Sequence, residues 1–533
     1  MKRILKITLG LLAGLAAILA AAALAIIVLH SSADMEEPEF TPSPGVAECS
    51  DSLRVWKDNY LRFDRSGLME MRISGSAFDR GEAIGKLAPD LLKAQEKAFV
   101  DKLYELVPSE FYRRFLMYFI YIFNRDLGKN VPLEYRREIK AMSEYCSREY
   151  DAYGTPYERQ MQYHSAHDIG HVMQDYMLVG CTSFAVWGDE SVDGEIIAGR
   201  NFDFYMGEDF AGRNIVLAER PDSGYAYVSV TWPGMTGVLS GMNEKCLTVS
   251  IHASKLETPN MSATPVSILA KEILQHASDI EEAVCIARAA KTFVSESFLI
   301  CSASDGRAAV IEKTPSEMAV YDPAANDPEC CRVVCANHYQ SDLFRDREEN
   351  LANLRESDSG HRFRRVEELL DSLGKIGPES AALILRDRRG AGGKDIGMCN
   401  ELSINQLLAM HSVIFKPSSR EIWVSTYPWQ CGEFIRFRLD DILDSPVPPY
   451  HRDSSKDIPE DIFLHSESFR NMMKFKRSSS GIRSAISSGT EIPEDSISAY
   501  IGLNPLYYNA YNLAGDYFLA KGDEGNACEL WKK

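Results

Sequence analysis

At Cys181 the chain changes its pattern, and that change limits what it can fold into. From about Leu68 to Leu178 the residues follow long charged and apolar periods with few interior glycines, as helices do. After Cys181 come short alternating or β-rich runs: Thr182 to Trp187, Glu195 to Ala198, Asn214 to Glu219, Ala226 to Trp232, Leu247 to Ile251, Phe298 to Ala303, Ala308 to Glu312, Val413 to Phe415, Glu421 to Ser425 and Phe434 to Leu439. Amphipathic segments near Pro265 to His276, Ile280 to Ala290, His361 to Leu373 and Glu379 to Leu385 lie between them. Many strands with helices grouped in pairs predict an α+β body of packed sheets with helices outside, from 181 to about 445.

The junction itself reads Gly180-Cys181-Thr182-Ser183, followed downstream by Gly199-Arg200-Asn201-Phe202-Asp203. Cutting the bond between Gly180 and Cys181 would give Cys181 a free α-amine on the residue that carries the thiol. Such an amine titrates at about 7.7 to 8.0, so one residue would supply both the attacking sulfur and its base.

The ends of the chain are organised differently. After Lys2, Arg3 and Lys6 an uncharged apolar run extends from Ile7 to Leu29, long enough for a hydrocarbon core of about 30 Å and longer than the roughly 7 to 15 residues of a cleaved signal core. We read residues 1–30 as a signal anchor with its basic end in the cytoplasm and the rest of the chain outside; secretion after cleavage near Ser32-Ala33 is the alternative. Residues 31–67 read as a tether and entry segment, 68–180 as a helical region, and 446–495 as a second linker around one short helix. In 496–533, Gly515, Phe518, Gly522, Ala527 and Trp531 approximate tetratricopeptide spacing, which predicts a helical hairpin packed on the catalytic body or on another protein. The run Phe111 to Phe123 (FYRRFLMYFIYIF) predicts a helix buried against the protein, with docking onto a membrane or acyl chain as the alternative.

With 533 residues and a hydrophobic share of 45%, the chain can bury a large core. Its formal net charge of -19, with no basic cluster, argues against nucleic acid as a partner. Twelve cysteines fit an oxidising compartment without dictating pairs, and Cys330, Cys331 and Cys335 lack the second pair that a zinc site needs. In HSAHDIGH (164–171), His164, His167 and His171 lack the glutamate base of an HExxH site, and Gly170 weakens the helix; buried support for the 180/181 junction is the better reading.

The segment from Cys181 to Phe204 resembles the β-subunit start of N-terminal-nucleophile hydrolases, the group that includes acid ceramidase, N-acylethanolamine acid amidase, choloylglycine hydrolase and penicillin acyl-coenzyme A acyltransferase. The resemblance runs over roughly 70 to 445 as an ordered series of motifs. It implies a four-layer αββα sandwich, self-cleavage between Gly180 and Cys181, and Cys181 as nucleophile. It also implies that Asp203 holds the new α-amine, that Arg200 keeps the thiol pKa low, that the Asn337 amide in VVCANHY donates to the oxyanion, and that Arg362 in DSGHRFRRVEELL supports the network. Arg364 and Arg365 leave that last register open. The segment GMNEKCL (241–247) matches a family turn, with Cys246 where glycine is usual; Asn243 reads as a turn residue. Thr182 and His252 are further candidates for oxyanion support, His252 because Ile251-His252-Ala253 stands where bile-acid relatives carry an asparagine. No cofactor and no metal are implied. The expected substrate is an N-acyl amide with a hydrophobic acyl group, hydrolysed or passed to an amine. A papain-like thiol-histidine site, with His338 for example, and a non-catalytic scaffold are the competing readings.

Overall fold

The computed structural model describes residues 35–533 except 65, 166–167, 169–178, 258, 260–262 and 445–451, together with positions 14, 21 and 24. Two sheets form its centre. The larger has eleven strands in the order β1 (Glu48–Cys49), β2 (Leu53–Trp56), β3 (Asn59–Phe63), β4 (Met69–Gly75), β7 (Ile215–Pro221), β8 (Tyr227–Thr231), β9 (Ser240–Asn243), β10 (Leu247–Ala253), β11 (Glu296–Ser302), β12 (Arg307–Lys313) and β13 (Met318–Tyr321). The smaller has six: β14 (Arg332–Cys335), β5 (Val179–Val186), β6 (Ile197–Phe204), β15 (His411–Lys416), β16 (Glu421–Ser425) and β17 (Phe434–Arg438).

Side-chain alternation sorts these strands into layers, because successive residues of a strand face opposite ways. On β5, Ala185 joins Ala198, Val413 and Val424 of its own sheet against Val216, Val228 and Val310 of the larger one, in a core between the sheets. Its neighbours Phe184 and Val186 face outward, with Ile197, Ile414 and Trp423, onto the helices Ser359–Leu373 and Pro378–Leu385 through Val366, Leu370, Ala382 and Leu385. The outer face of the larger sheet carries Val249, Ile300 and Ile311 beneath the helices Val266–His276 and Ile280–Ala289. The result is the expected α+β arrangement, helix on sheet on sheet on helix.

The helical N-terminal region is tied to this body by one parallel strand pair, β4 with β7, from Met69 opposite Ile215 to Gly75 opposite Pro221. Its helices begin at caps that the sequence supplies. Ser76 and Asp79 form a reciprocal capping box at Ala77–Leu87, and Thr155 and Glu158 form another, followed by Pro156, at Pro156–His164. Beneath lies a buried charge cluster that joins the two regions. Glu138 accepts from Arg80 at 2.9 Å and from Lys271 at 2.8 Å, and Glu219 pairs with Arg80 at 2.9 Å and with Lys271 at 3.1 Å.

Several expectations need correction. The segment 31–67 is more than a tether, since β1, β2 and β3 extend the larger sheet from within it. The span 446–495 is not a linker with one short helix: Glu467–Ser488 is a long helix that buries Met472, Phe475, Ile482 and Ala485. The helix Glu110–Phe123 buries only Tyr121, and its aromatic face is turned outward. Apart from positions 14, 21 and 24, the expected anchor over 7–29 lies outside the described residues, among which no helix is long and apolar enough to cross a membrane. At the C-terminus the helices Tyr508–Ala520 and Glu524–Trp531 pack closely where Gly515 meets Trp531. The preceding helix, Glu494–Leu503, ends at Asn504, whose side chain accepts from Met398 N–H at 2.9 Å and donates to its carbonyl at 2.8 Å, docking the bundle on the catalytic body.

Candidate active site

Strand β5 carries Gly180 and Cys181 side by side, and the register places Gly180 opposite Asp203 and Cys181 opposite Phe202 on β6. The alternation that builds the layers also divides the site. Cys181 and Arg200 lie on the face between the sheets, where Arg200 Nη2 approaches Cys181 Sγ at 3.6 Å. Asp203 lies on the other face, beside the helix layer.

Arg200 is fully buried and held from several sides. Its Nη1 donates to the Leu239 carbonyl at 2.6 Å and to Ser240 Oγ, its Nη2 donates to the Ile251 carbonyl, and the guanidinium lies 4.7 Å above the Phe202 ring. Burial raises the Cys181 thiol above its ordinary pKa, and the Arg200 cation offsets this only in part. The expectation that Arg200 keeps the thiol pKa low is thus corrected for the uncut chain: desolvation outweighs the nearby charge.

On the backbone side, Cys181 N–H donates to Asn337 Oδ1 at 3.0 Å. Arg362 Nη1 donates to the Cys181 carbonyl at 2.6 Å and to Thr182 Oγ1 at 2.8 Å, while its Nη2 donates to Asn337 Oδ1 at 2.7 Å and to Asp358 at 3.1 Å. Of the three arginines Arg362 is the one that reaches β5, whereas Arg364 is exposed and Arg365 pairs with Asp387. Asn337 is itself fixed. Its Nδ2 donates to the Ala253 carbonyl at 2.7 Å, its N–H to Ser359 Oγ at 2.8 Å, and its carbonyl accepts from Asn353 at 2.7 Å. In the uncut chain the Asn337 side chain therefore holds the nitrogen of residue 181 rather than a free oxyanion position.

Asp203 is fully buried. Its Oδ2 accepts from Gln406 Nε2 at 3.2 Å, and its Oδ1 has no hydrogen-bond partner among the described residues. Desolvation pushes its carboxyl up to about 8 despite the attraction of Arg362. Gln406 also crowds Gly180, where an added Cβ would lie 3.0 Å from Nε2.

Asn243 is the turn residue that the sequence implied, and His252 stands on β10 beside β5. Asn243 donates to the carbonyls of Leu274 and Ala277 at 2.8 and 2.7 Å and accepts from the N–H groups of Lys245 and Leu247, so it locks a turn and has no donor left for an oxyanion. In that turn Cys246 takes φ 64°, the left-handed conformation that explains why glycine suits the position. His252 Nε2 bonds Ser183 Oγ at 2.8 Å, and burial, together with the Arg200 and Arg362 cations, lowers its pKa and keeps it neutral; it supports β5 and is corrected as an oxyanion donor. His164 accepts from Thr236 N–H at 3.0 Å and donates from Nδ1 to the Gln160 carbonyl, with its pKa lowered to about 4 by burial. His167 and His171 fall outside the described residues, among which no group of His, Cys, Asp or Glu is placed to hold a metal.

Sequence reasoning missed Gln406, Asp358, Asn353 and Ser359. Asp358 stands one helical turn before Arg362, a spacing that could have revealed it; Gln406 lies in a loop and carries no such signal. Two spaces adjoin the site. An open cleft of about 400 Å³ is lined by Gln406, Leu407 and Tyr205 from the body and by Phe475, Lys476 and Tyr507 from the C-terminal helices. A narrow pocket of about 40 Å³ is walled by Phe202, Phe204, Phe210, Trp232 and Met235.

Residues 190–426 match the family model described as acyl-coenzyme A:6-aminopenicillanic acid acyl-transferase. The match includes Arg200, Asp203, Asn337 and Arg362, begins after Cys181, and stops before the C-terminal helices. An uncharacterized protein of Archaeoglobus fulgidus is 24% identical over 314 residues, which cover 51% of this chain and 50% of that protein. Two solved structures are similar in part. The Caenorhabditis elegans ortholog of N-acylethanolamine-hydrolyzing acid amidase is 19% identical, with a TM-score of 0.32 over 44% of this chain and 93% of that one. A mutant of conjugated bile acid hydrolase from Clostridium perfringens is 16% identical, with a TM-score of 0.32 over 51% of this chain and 97% of that one. The resemblance to the N-terminal-nucleophile group stands on the family match.

Proposed function

We propose that this chain is a self-processing cysteine amidohydrolase: a hydrolase or acyltransferase acting on amide bonds, held outside the cytoplasm by the apolar run 7–29. The observation that carries the reading is the grip on residue 181. Arg200 reaches the sulfur, Asn337 holds the amide nitrogen of residue 181, and Arg362 holds its carbonyl.

In maturation, Cys181 Sγ attacks the Gly180 carbonyl carbon, the carbon–nitrogen bond breaks, and the thiol proton passes to the departing nitrogen. The resulting thioester at Gly180 takes up water, which releases the Gly180 carboxylate and restores the thiol. Residue 181 then ends in an amine, whose ammonium form gives the buried Asp203 a partner of opposite charge. In turnover the neutral amine accepts the thiol proton, the sulfur attacks the substrate amide, and fixed donors around Asn337 and the neighbouring backbone stabilise the oxyanion. The proton returns to the leaving amine, and water resolves the acyl-enzyme.

An N-acyl amide with a hydrophobic acyl group is the substrate class, because the aromatic pocket around Phe202 and Trp232 begins directly across the ladder from Cys181. Transfer to an amine acceptor shares every step up to the thioester. The family name favours keeping it, and a product that changes on adding amines would identify it.

The test is the intact mass and N-terminal sequence of the purified protein and of Cys181→Ala. Two fragments, one beginning Cys-Thr-Ser-Phe, with the variant uncut, are expected. A single uncut chain at neutral and mildly acidic pH would remove the amine base from the mechanism and leave the scaffold and thiol-histidine readings.

A further inference from the structure

The helix Glu110–Phe123 is laid out against the usual rule. Phe111 is 81% exposed, Phe115 55% and Phe119 54%, and Tyr112 and Tyr118 are about half exposed beside them. These positions recur at the three- and four-residue spacing of a single helix face, so the exposed aromatics form one stripe. The opposite face makes the protein contacts: Tyr121 donates to the Tyr153 carbonyl at 3.2 Å, and Asn124, at the helix end, donates to Ser165 at 3.1 Å. A contiguous aromatic surface of this kind marks a place where something docks.

Where the chain enters the fold indicates what docks there. Met35 is buried against Leu127, Val131, Tyr135 and Ile139, and its carbonyl accepts from Tyr157 Oη at 3.0 Å. It touches Gly128 so closely that a Cβ on that glycine would lie 2.4 Å from the Met35 carbonyl carbon. Gly128 follows shortly after Phe123, so the tether enters beside the end of the aromatic helix. Only residues 30–34 separate Met35 from Leu29, the last residue of the apolar run. At roughly 3.3 to 3.6 Å per residue, that tether spans at most about 20 Å. The helix itself is about 21 Å long, so a bilayer crossed by 7–29 would have the whole stripe within reach.

We infer that Glu110–Phe123 lies in the membrane interface as a docking helix, its aromatic face among the lipid headgroups and upper acyl chains of a bilayer. The inference rests on the anchor reading in the proposed function. It gives that anchor a second point of attachment and holds the catalytic body in a fixed orientation at a lipid surface, where amphiphilic N-acyl amides collect.

The test uses the full chain in vesicles of phosphatidylcholine with one quarter phosphatidylglycerol. Phe115→p-benzoylphenylalanine and Phe119→p-benzoylphenylalanine are irradiated and digested. Leu519→p-benzoylphenylalanine, at a 47% exposed position of the C-terminal bundle, is the control. Lipid adducts at 115 and 119 at least tenfold above the control are expected. Adduct levels equal to the control, or crosslinks from 115 to a second copy of this chain in place of lipid, would overturn the inference. Carbonate extraction of the same vesicles separates the two readings. Retention of the chain without lipid adducts sinks the docking helix alone. Release of the chain sinks the anchor, and lipid adducts formed before that release would keep the helix as a peripheral membrane contact.

Discussion

Replacing Asp203 by Asn in an uncut background tests whether this carboxyl waits, protonated, for an ammonium that does not yet exist. The perturbation is Asp203→Asn combined with Cys181→Ala, compared with Cys181→Ala alone. Burial holds the Asp203 carboxyl up to about 8 in the folded chain, against 3.8 for an ordinary aspartate. Between those values the folded state keeps a proton that the unfolded state has lost. Stability from this group is therefore complete below pH 3.8 and is lost as pH rises towards 8 and beyond. At about 1.4 kcal/mol per pH unit, the loss between pH 5 and pH 8 is roughly 3 to 4 kcal/mol. Asn cannot titrate and keeps an oxygen for Gln406, so the double variant lacks this slope. Urea unfolding at pH 5, 6, 7 and 8 reads it as the difference between the two proteins. Taking the difference removes the contributions of Glu296 and Asp168, whose buried carboxyls are also held well above their ordinary range. Equal pH dependence in the two proteins would refute the buried, protonated Asp203.

Arg362→Lys should slow self-cleavage at least a hundredfold, because one ammonium cannot span Cys181, Thr182 and Asn337 as the guanidinium does; the lifetime of the precursor on denaturing gels measures it. Glu138→Ala should cost about 3 to 5 kcal/mol by leaving the buried Arg80 and Lys271 to share Glu219, and the two fragments expected from self-cleavage should then separate at lower urea than those of the unaltered protein, read by gel filtration. Gly515→Val should loosen the C-terminal bundle, since even a Cβ there would come within 2.4 Å of Trp531 Nε1; faster proteolysis between 505 and 533, with the sandwich resistant, is the expected result.

Strands around Cys181 were readable because their two faces meet different layers, and period-2 alternation survives in the sequence from Cys181 to Trp187. The choice among Arg362, Arg364 and Arg365 was not readable, since it depends on which helix face meets β5. The aromatic run at 111–123 misled for a related reason: hydrophobicity reports that a face is apolar, not that protein covers it. Ser-rich composition hid the helix Glu467–Ser488, although Met472, Phe475, Ser479 and Ile482 do recur at helical spacing on its buried side. The strands β1 to β3 are only two to five residues long and place Glu48, Arg54, Asn59 and Arg62 among Val55, Trp56, Tyr60 and Leu61, so each apolar run is too short to stand out from the polar segment before it. Gln406 acquires its role only when a distant loop is folded onto Gly180, which no sequence spacing records.

Why Cys181, as the proposed nucleophile, would need cleavage at all follows from what surrounds it. In the uncut chain the nitrogen of residue 181 is an amide, spends its hydrogen on Asn337 and has no basic lone pair. Neither nearby histidine can replace it: His252 is engaged with Ser183 and His411 with Ser240, and both are kept neutral by burial and the adjacent Arg200. His338, the partner a thiol-histidine mechanism would choose, is bonded through Nδ1 to Ser359 and lowered to about 4 by burial. Among the described residues the hydrogen-bond partner of Cys181 Sγ is Arg200, a cation that can stabilise a thiolate but cannot accept its proton. A buried thiol raised by desolvation and faced by a lone cation lacks only a base. On the proposed self-cleavage, hydrolysis of the 180/181 bond would create that base on the same residue, next along β5 from the position opposite Asp203, and so would turn one peptide bond into the missing half of a catalytic pair.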